Sequence, residues 1–201
     1  MEIKERILQK AEELFFRYGV KSVTMDDMAK DLGISKKTIY QHFADKDDLV
    51  LNFVQKHTTQ EKCEYESMDK LGLNTIEKFL KASESMRASM ATMNPSMVFE
   101  IKKYHPLAWK VFHDFLYDFA LGSIINDLKQ GVAEGWFLND FNPEILARLR
   151  LEQVELGFDI QMFSPNKFNM LEIQENFLVH FIRGILSPKG HDYFNQHFTK
   201  K

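Results

Sequence analysis

Apolar residues at Ile3, Ile7, Ala11, Leu14, Phe15 and Tyr18 recur at helical spacing, with Glu5, Lys10, Glu12 and Glu13 on the other face, so the chain opens with an amphipathic helix. Gly19 ends it, as a C-terminal cap should. Thr24 then precedes Met25, Met28, Ala29 and Leu32, a short second helix with Thr24 as its N-cap. Asp26 and Asp27 sit in its first turn, where negative charge suits the positive helix end, and Gly33 closes it. Ser35 is placed to cap a third helix, with Ile34 and Ile39 spaced as a hydrophobic staple. Helix, glycine turn and capped helix make a helix-turn-helix, braced by the opening helix.

From Lys46 a fourth helix runs through Leu49, Val50, Phe53, Val54 and His57 to about Met68. Leu71-Gly72-Leu73-Asn74 is a break, and Asn74 caps a helix containing Ile76, Phe79, Leu80 and Met86. Boundaries follow at Asn94-Pro95-Ser96 and His105-Pro106. Pro106 starts a long helix through Trp109, Phe112, Leu116, Phe119, Ile124 and Leu128, ending near Gly131 to Gly135. The turn-rich 139–143 segment restarts the chain into a helix from Pro143 to about Phe163. Ser164-Pro165-Asn166 breaks that one, and a last long helix spans about Lys167 to Leu186. The aromatic tail from His191 to Phe198 adds a turn or two. Alternation of period two is nowhere sustained. The reading is all-α: a three-helix helix-turn-helix domain over residues 1–46, then a larger helical bundle over 47–201.

Composition narrows the function. With 201 residues and 44% hydrophobic content the chain can bury a core, and its formal net charge of −3 excludes a uniformly basic nucleic-acid coat. Any nucleic-acid binding must therefore be local. Met1 is followed by charged residues rather than an apolar run, which speaks against a signal peptide. The most apolar stretches are interrupted by charge and give no membrane span. One cysteine, Cys63, leaves no intrachain disulfide and no cysteine-rich zinc site, which fits a reducing cytoplasm.

The stretch Gly33 to Phe43, G-I-S-K-K-T-I-Y-Q-H-F, holds unusual polarity for a short helix. With Ile39 and Phe43 as the inward stripe, Lys37 and Gln41 lie close to opposite it, Thr38 beside them and Tyr40 and His42 on the flanks. Lys36 falls nearer the buried edge, at the helix start. Lysine, amide and hydroxyl groups are the partners that base edges in a major groove offer acceptors and donors to, while the phosphate walls accept from Lys, Ser, Thr and Tyr. A solvated surface helix is the bland alternative.

The order of residues from Ile7 to Val50 separates these readings. A supporting helix ending in glycine, a threonine-capped helix, G-I-S, then T-I-Y-Q-H-F and D-K-D-D-L together resemble the DNA-binding module of the tetracycline-repressor (TetR/AcrR) family. The resemblance implies phosphate contacts from Thr24, Tyr40, His42 and Lys46, the last at the start of the fourth helix. It implies base or nearby backbone contacts from Ser35, Lys36, Lys37, Thr38 and Gln41. Many members carry a small residue at the position of Lys37, so this chain departs from the pattern there. Family architecture further implies a ligand-enclosing bundle that dimerises through its last two long helices. Leu149, Val154, Phe158, Phe177 and Phe181 are the candidate dimer residues, with intrachain core as the competing role. Reading a palindromic double-stranded DNA operator also calls for a homodimer, since one short helix spans few base pairs.

Met90, Met97, Trp109, Phe112, His113 and Leu116 are candidates for lining an apolar pocket, against ordinary helical core. The histidines show no metal-ligand spacing, and no nucleophile elbow, phosphate loop or dinucleotide fingerprint occurs, so neither cofactor, metal nor catalytic role is expected. The function expected is that of a homodimeric transcriptional regulator, a repressor released from DNA by a small, largely apolar effector. Two alternatives stay open: a related DNA-binding protein whose bundle serves only dimerisation or a protein partner, and a helical enzyme or interaction module with a coincidental motif.

Overall fold

The computed structural model describes residues 2–198, apart from the side chain of Asp69. Helices account for its regular structure: α1 (Ile3–Tyr18), α2 (Met25–Leu32), α3 (Lys36–Tyr40), α4 (Lys46–Lys70), α5 (Thr75–Met90), α6 (Met97–Tyr104), α7 (Pro106–Asp114), α8 (Leu121–Ala133), α9 (Pro143–Gly157), α10 (Met170–Ile185) and α11 (Pro188–His197). A π-helical segment, Phe115–Ala120, joins α7 to α8. Among the described residues the sole extended pairing is an isolated antiparallel bridge between Phe137 and Leu186.

Two compact units emerge. The first comprises residues 1–61 and 92–115, the second 62–91 and 116–201. The first is built on Ile7, Ala11 and Phe15 of α1, Met28 of α2, Ile39 and Phe43 around α3, and Leu49, Val50 and Phe53 of α4. Phe15 and Phe53 meet edge to face at 5.6 Å. Met97, Ile101 and Ala108 of α6 and α7 complete the same core. Polar ties fasten those helices: Lys21 N donates to the Glu100 carboxylate at 2.8 Å, and His105 Nδ1 lies 2.5 Å from Asp47 Oδ1. Packing therefore divides the chain differently from the 1–46 and 47–201 split expected above. Periodicity gives α6 an apolar face but cannot say which distant helices cover it.

The second unit packs α8 and α10 on either side of α9, with Leu128, Leu151, Ile182 and Phe194 in its interior. A buried charge pair crosses it, Lys78 Nζ to Asp127 Oδ1 at 3.4 Å, and Tyr65 donates to the other Asp127 oxygen at 2.6 Å. Gly157 makes room for Gln174: a Cβ there would lie 2.2 Å from Gln174 Nε2, and the amide would have to shift.

Helix ends depart from the sequence expectation where local side-chain bonds intervene. α9 stops at Gly157 rather than near Phe163, because the Asp159 carboxylate collects the N–H groups of Gln161 and Met162 into a turn. α10 starts at Met170, not Lys167, since Asn169 accepts from Glu172 N and caps it. The tail forms a ten-residue helix capped by Ser187, with Pro188 in the first turn, where a missing N–H costs nothing. The long helix begun at Pro106 keeps its course but takes in the π-helical segment, which no 3.6-residue pattern signals.

Candidate nucleic-acid interface

The reader is assembled within the first unit from three short pieces of chain. Gly33 adopts φ +65°, ψ +30°, and Ile34 N then donates back to Ala29 O at 3.0 Å, which turns the chain from α2 into α3. Only glycine enters this conformation freely. Ser35 caps α3, accepting from Thr38 N at 3.1 Å, and its hydroxyl meets the Thr38 hydroxyl at 2.8 Å. Ile39 and Phe43 are sunk in the core, at 0% and 1% exposure. Lys36, Lys37, Tyr40 and Gln41 are exposed, while Thr38, His42 and Lys46 are half-buried. The wheel drawn from sequence thus has its polar face outward.

Thr24 has a structural task. Its hydroxyl accepts from Asp27 N at 3.1 Å and donates to Asp27 Oδ2 at 2.7 Å, while Thr24 N donates to the same oxygen at 2.9 Å. This reciprocal cap holds the Asp27 carboxyl below its ordinary value of 3.8. Because the folded value is depressed, the cap contributes stability above the unfolded value and loses it as pH falls through the folded one. Replacing Thr24 by alanine is expected to lower the melting temperature at pH 7 and to shrink the loss on going to acid, as followed by circular dichroism.

Lysines around α3 are partly engaged. Lys36 Nζ lies 2.8 Å from Asp26, whose carboxylate raises the ammonium's pKa. Lys46 Nζ reaches the Lys21 carbonyl at 3.4 Å, and burial lowers its pKa against the opposing pull of Glu100 and Asp47. Asp45 caps α4 by accepting from Asp48 N at 2.8 Å, and the Asp48 carboxylate accepts from Ala44 N at 2.9 Å. This pair of bonds, which the sequence reading missed, closes the turn into α4 at Lys46; D-x-x-D beside a helix start was the available signal.

The candidate pocket residues fall in both units. Met97 is buried in the first unit, where Trp109 and Phe112 lie against the core and His113 is exposed. Met90, half-buried, and Leu116, buried, belong to the second. Of the candidate dimer residues, Leu149 is 48% exposed, and Val154, Phe158 and Phe177 are half-buried. Phe181, at 5%, belongs to the chain's own core and offers little area to a partner. Ile145, Leu156, Met162 and Phe168, overlooked in the sequence, are exposed at 64%, 39%, 58% and 47%. On α9, Ile145, Leu149 and Leu156 fall along one stripe at spacings of four and seven.

Residues 7–53 match the family profile described as bacterial regulatory proteins, tetR family. Over 191 residues the chain is 26% identical to YvaF, an HTH-type transcriptional regulator of Bacillus subtilis strain 168, covering 94% of this chain and 98% of that one. Among solved structures, a TetR-family regulator from Agrobacterium tumefaciens shares the fold at TM-score 0.74 with 16% identity, over 92% of this chain and 97% of that one. A transcriptional regulator from Saccharomonospora viridis, solved with choline, does so at 0.74 with 18% identity and the same coverage.

Proposed function

We propose that this chain, whose residues 7–53 match the tetR-family profile, is a TetR-family transcriptional regulator, a homodimeric repressor released from a palindromic operator by a small molecule. One observation carries the reading: Ile39 and Phe43 pin α3 to the core and so aim Lys37, Tyr40 and Gln41 at solvent with no core role left to them. Lys37 and Gln41 supply the base contacts. Tyr40, His42 and Lys46 supply phosphate contacts, and Lys36 joins them on exchanging Asp26 for the duplex. Thr24 acts through its cap on α2 and through the free N–H groups of that helix's first turn.

Selection from a random duplex pool tests the whole reading. A two-fold symmetric winner is expected at near-physiological salt; enrichment of asymmetric or of no sequences from ligand-free protein would overturn it. On the selected duplex, Gln41→Ala and Lys37→Ala are each expected to cost about 1–3 kcal/mol and to relax preference at particular base pairs. Lys46→Ala should instead weaken all sequences alike and make the salt dependence shallower by about one counterion. Equal losses on all sequences for every variant would remove the base-reading role of α3.

Dimerisation uses the exposed apolar stripe of α9 with Met162 and Phe168, which the chain's own packing covers only in part, Phe168 resting edge to face on Phe163. A second copy fits because a two-fold operator needs a two-fold reader. Release acts through a change in the separation of the two readers. α4 runs unbroken from Lys46, in the first unit, to Lys70, in the second, and so links them covalently as one helix. Reversing a 1:99 population to 99:1 requires an effector to prefer the released geometry by about 5.5 kcal/mol. The choline bound by the Saccharomonospora protein shows a ligand for that neighbour, and at 18% identity it names none for this chain.

A further inference from the structure

Arg150 lies in the middle of α9 and is only 6% exposed. Its Nη1 touches neither solvent nor any hydrogen-bond partner. No ion pair reaches it among the described residues, and burial alone depresses its pKa, to about 10, which leaves it charged at neutral pH. A buried cation without a counter-charge is among the least favourable elements a fold can hold, and one normally marks something that pairs with it.

The surroundings are polar in a matching way. Gln153, three residues on and so on the same side of α9, has a shielded Oε1 with no partner. Gln174 of α10 is wholly buried against α9, donating Nε2 to Val154 O at 2.8 Å and leaving its own Oε1 unpartnered. One guanidinium nitrogen and two amide oxygens are thus shielded from solvent and without partners. A second copy of the chain does not answer this demand. At 100° per residue Arg150 points about 130° away from the centre of the Ile145, Leu149, Glu152 and Leu156 stripe, toward the helices that already cover α9.

We propose that Arg150 is the anion-recognising group of an interior ligand site in the second unit, and that its ligand is a small organic carboxylate. The carboxylate takes two parallel N–H donors of the guanidinium, and the oxygens of Gln153 and Gln174 accept from a hydroxyl or amine elsewhere on the same molecule. A single positive charge with two neutral amides balances one negative charge, which favours carboxylate over a doubly charged phosphate monoester. This deepens the effector-responsive reading above and rests on it.

The test uses full-length protein unfolded and refolded free of small molecules. Straight-chain carboxylates from butanoate to dodecanoate, their terminally hydroxylated counterparts and the matching alcohols are titrated, with melting temperature and Kd as readouts. Carboxylates, and not the matching alcohols, are expected to stabilise the wild type, and Arg150→Met to weaken that binding at least about tenfold. Ligand-free Arg150→Met is expected to melt higher than the wild type, since it removes an uncompensated charge. Three results would overturn the proposal: no carboxylate in the series stabilises the wild type, the variant responds as the wild type does, or the ligand-free variant melts lower. The last would make the guanidinium a structural group. Binding of wild type to its selected duplex, measured alongside, keeps the failures apart, because a lost carboxylate response with intact DNA binding rejects this site alone.

Discussion

Glutamate at both Ile145 and Leu149 is expected to convert the protein to a monomer and to lower operator affinity by a factor of about 10²–10⁴, the gain that a tethered second half-site confers. Both side chains are largely exposed, at 64% and 48%, so the substitutions remove nothing from the chain's own core. Helix content and melting temperature at high dilution should therefore stay near those of the wild type. The loss comes from two charges placed on each side of a two-fold contact, where each subunit meets its own image. Sedimentation equilibrium with duplex titration checks it. A double variant that remains dimeric would move the interface away from α9.

Phe43→Ala is the second large effect, and it acts on folding. The ring is 1% exposed among α1, α3 and α4 residues, and truncating a phenylalanine so buried costs about 3–5 kcal/mol. Against a typical total of about 5–15 kcal/mol that is a large share. Urea melts should show the loss as a shifted midpoint, and DNA binding should fall with it because Phe43 and Ile39 hold α3 in place. A cost under about 1 kcal/mol would mean that the site collapses to fill the gap and that α3 is held otherwise. Comparison with Tyr40→Ala separates the two roles, since Tyr40 is 43% exposed and its removal should spare stability while weakening DNA.

The contrast between Phe43 and Phe181 shows where sequence reading succeeds. Ile39 and Phe43 stand one turn apart beside a glycine-bounded turn, in a register set by the local helix and its cap. Their burial followed from spacing alone. Phe181 has equally good helical spacing, yet what covers it depends on α5 and α9, brought to α10 from elsewhere in the chain, and within the chain it is 5% exposed. The exposed Ile145 and Leu156 are the converse case, apolar residues whose spacing resembles that of any buried stripe. Likewise, Arg150 shares the covered face of Ala147 and Val154, but the local pattern does not say whether a long charged side chain there is enclosed or reaches out to solvent.

What the sequence determined by itself is the all-helical class, the glycine and cap positions of α1 to α3, and the outward set Lys37, Tyr40 and Gln41. These rest on backbone conformation, capping bonds and helical register, which are local properties. Tertiary structure alone decided that α6 and α7 pack with the N-terminal helices, that the apolar stripe of α9 is left uncovered, and that Arg150 is enclosed without a counter-ion. Each of these depends on which distant surfaces meet, and a helix's periodicity records that one face is apolar without recording what will cover it.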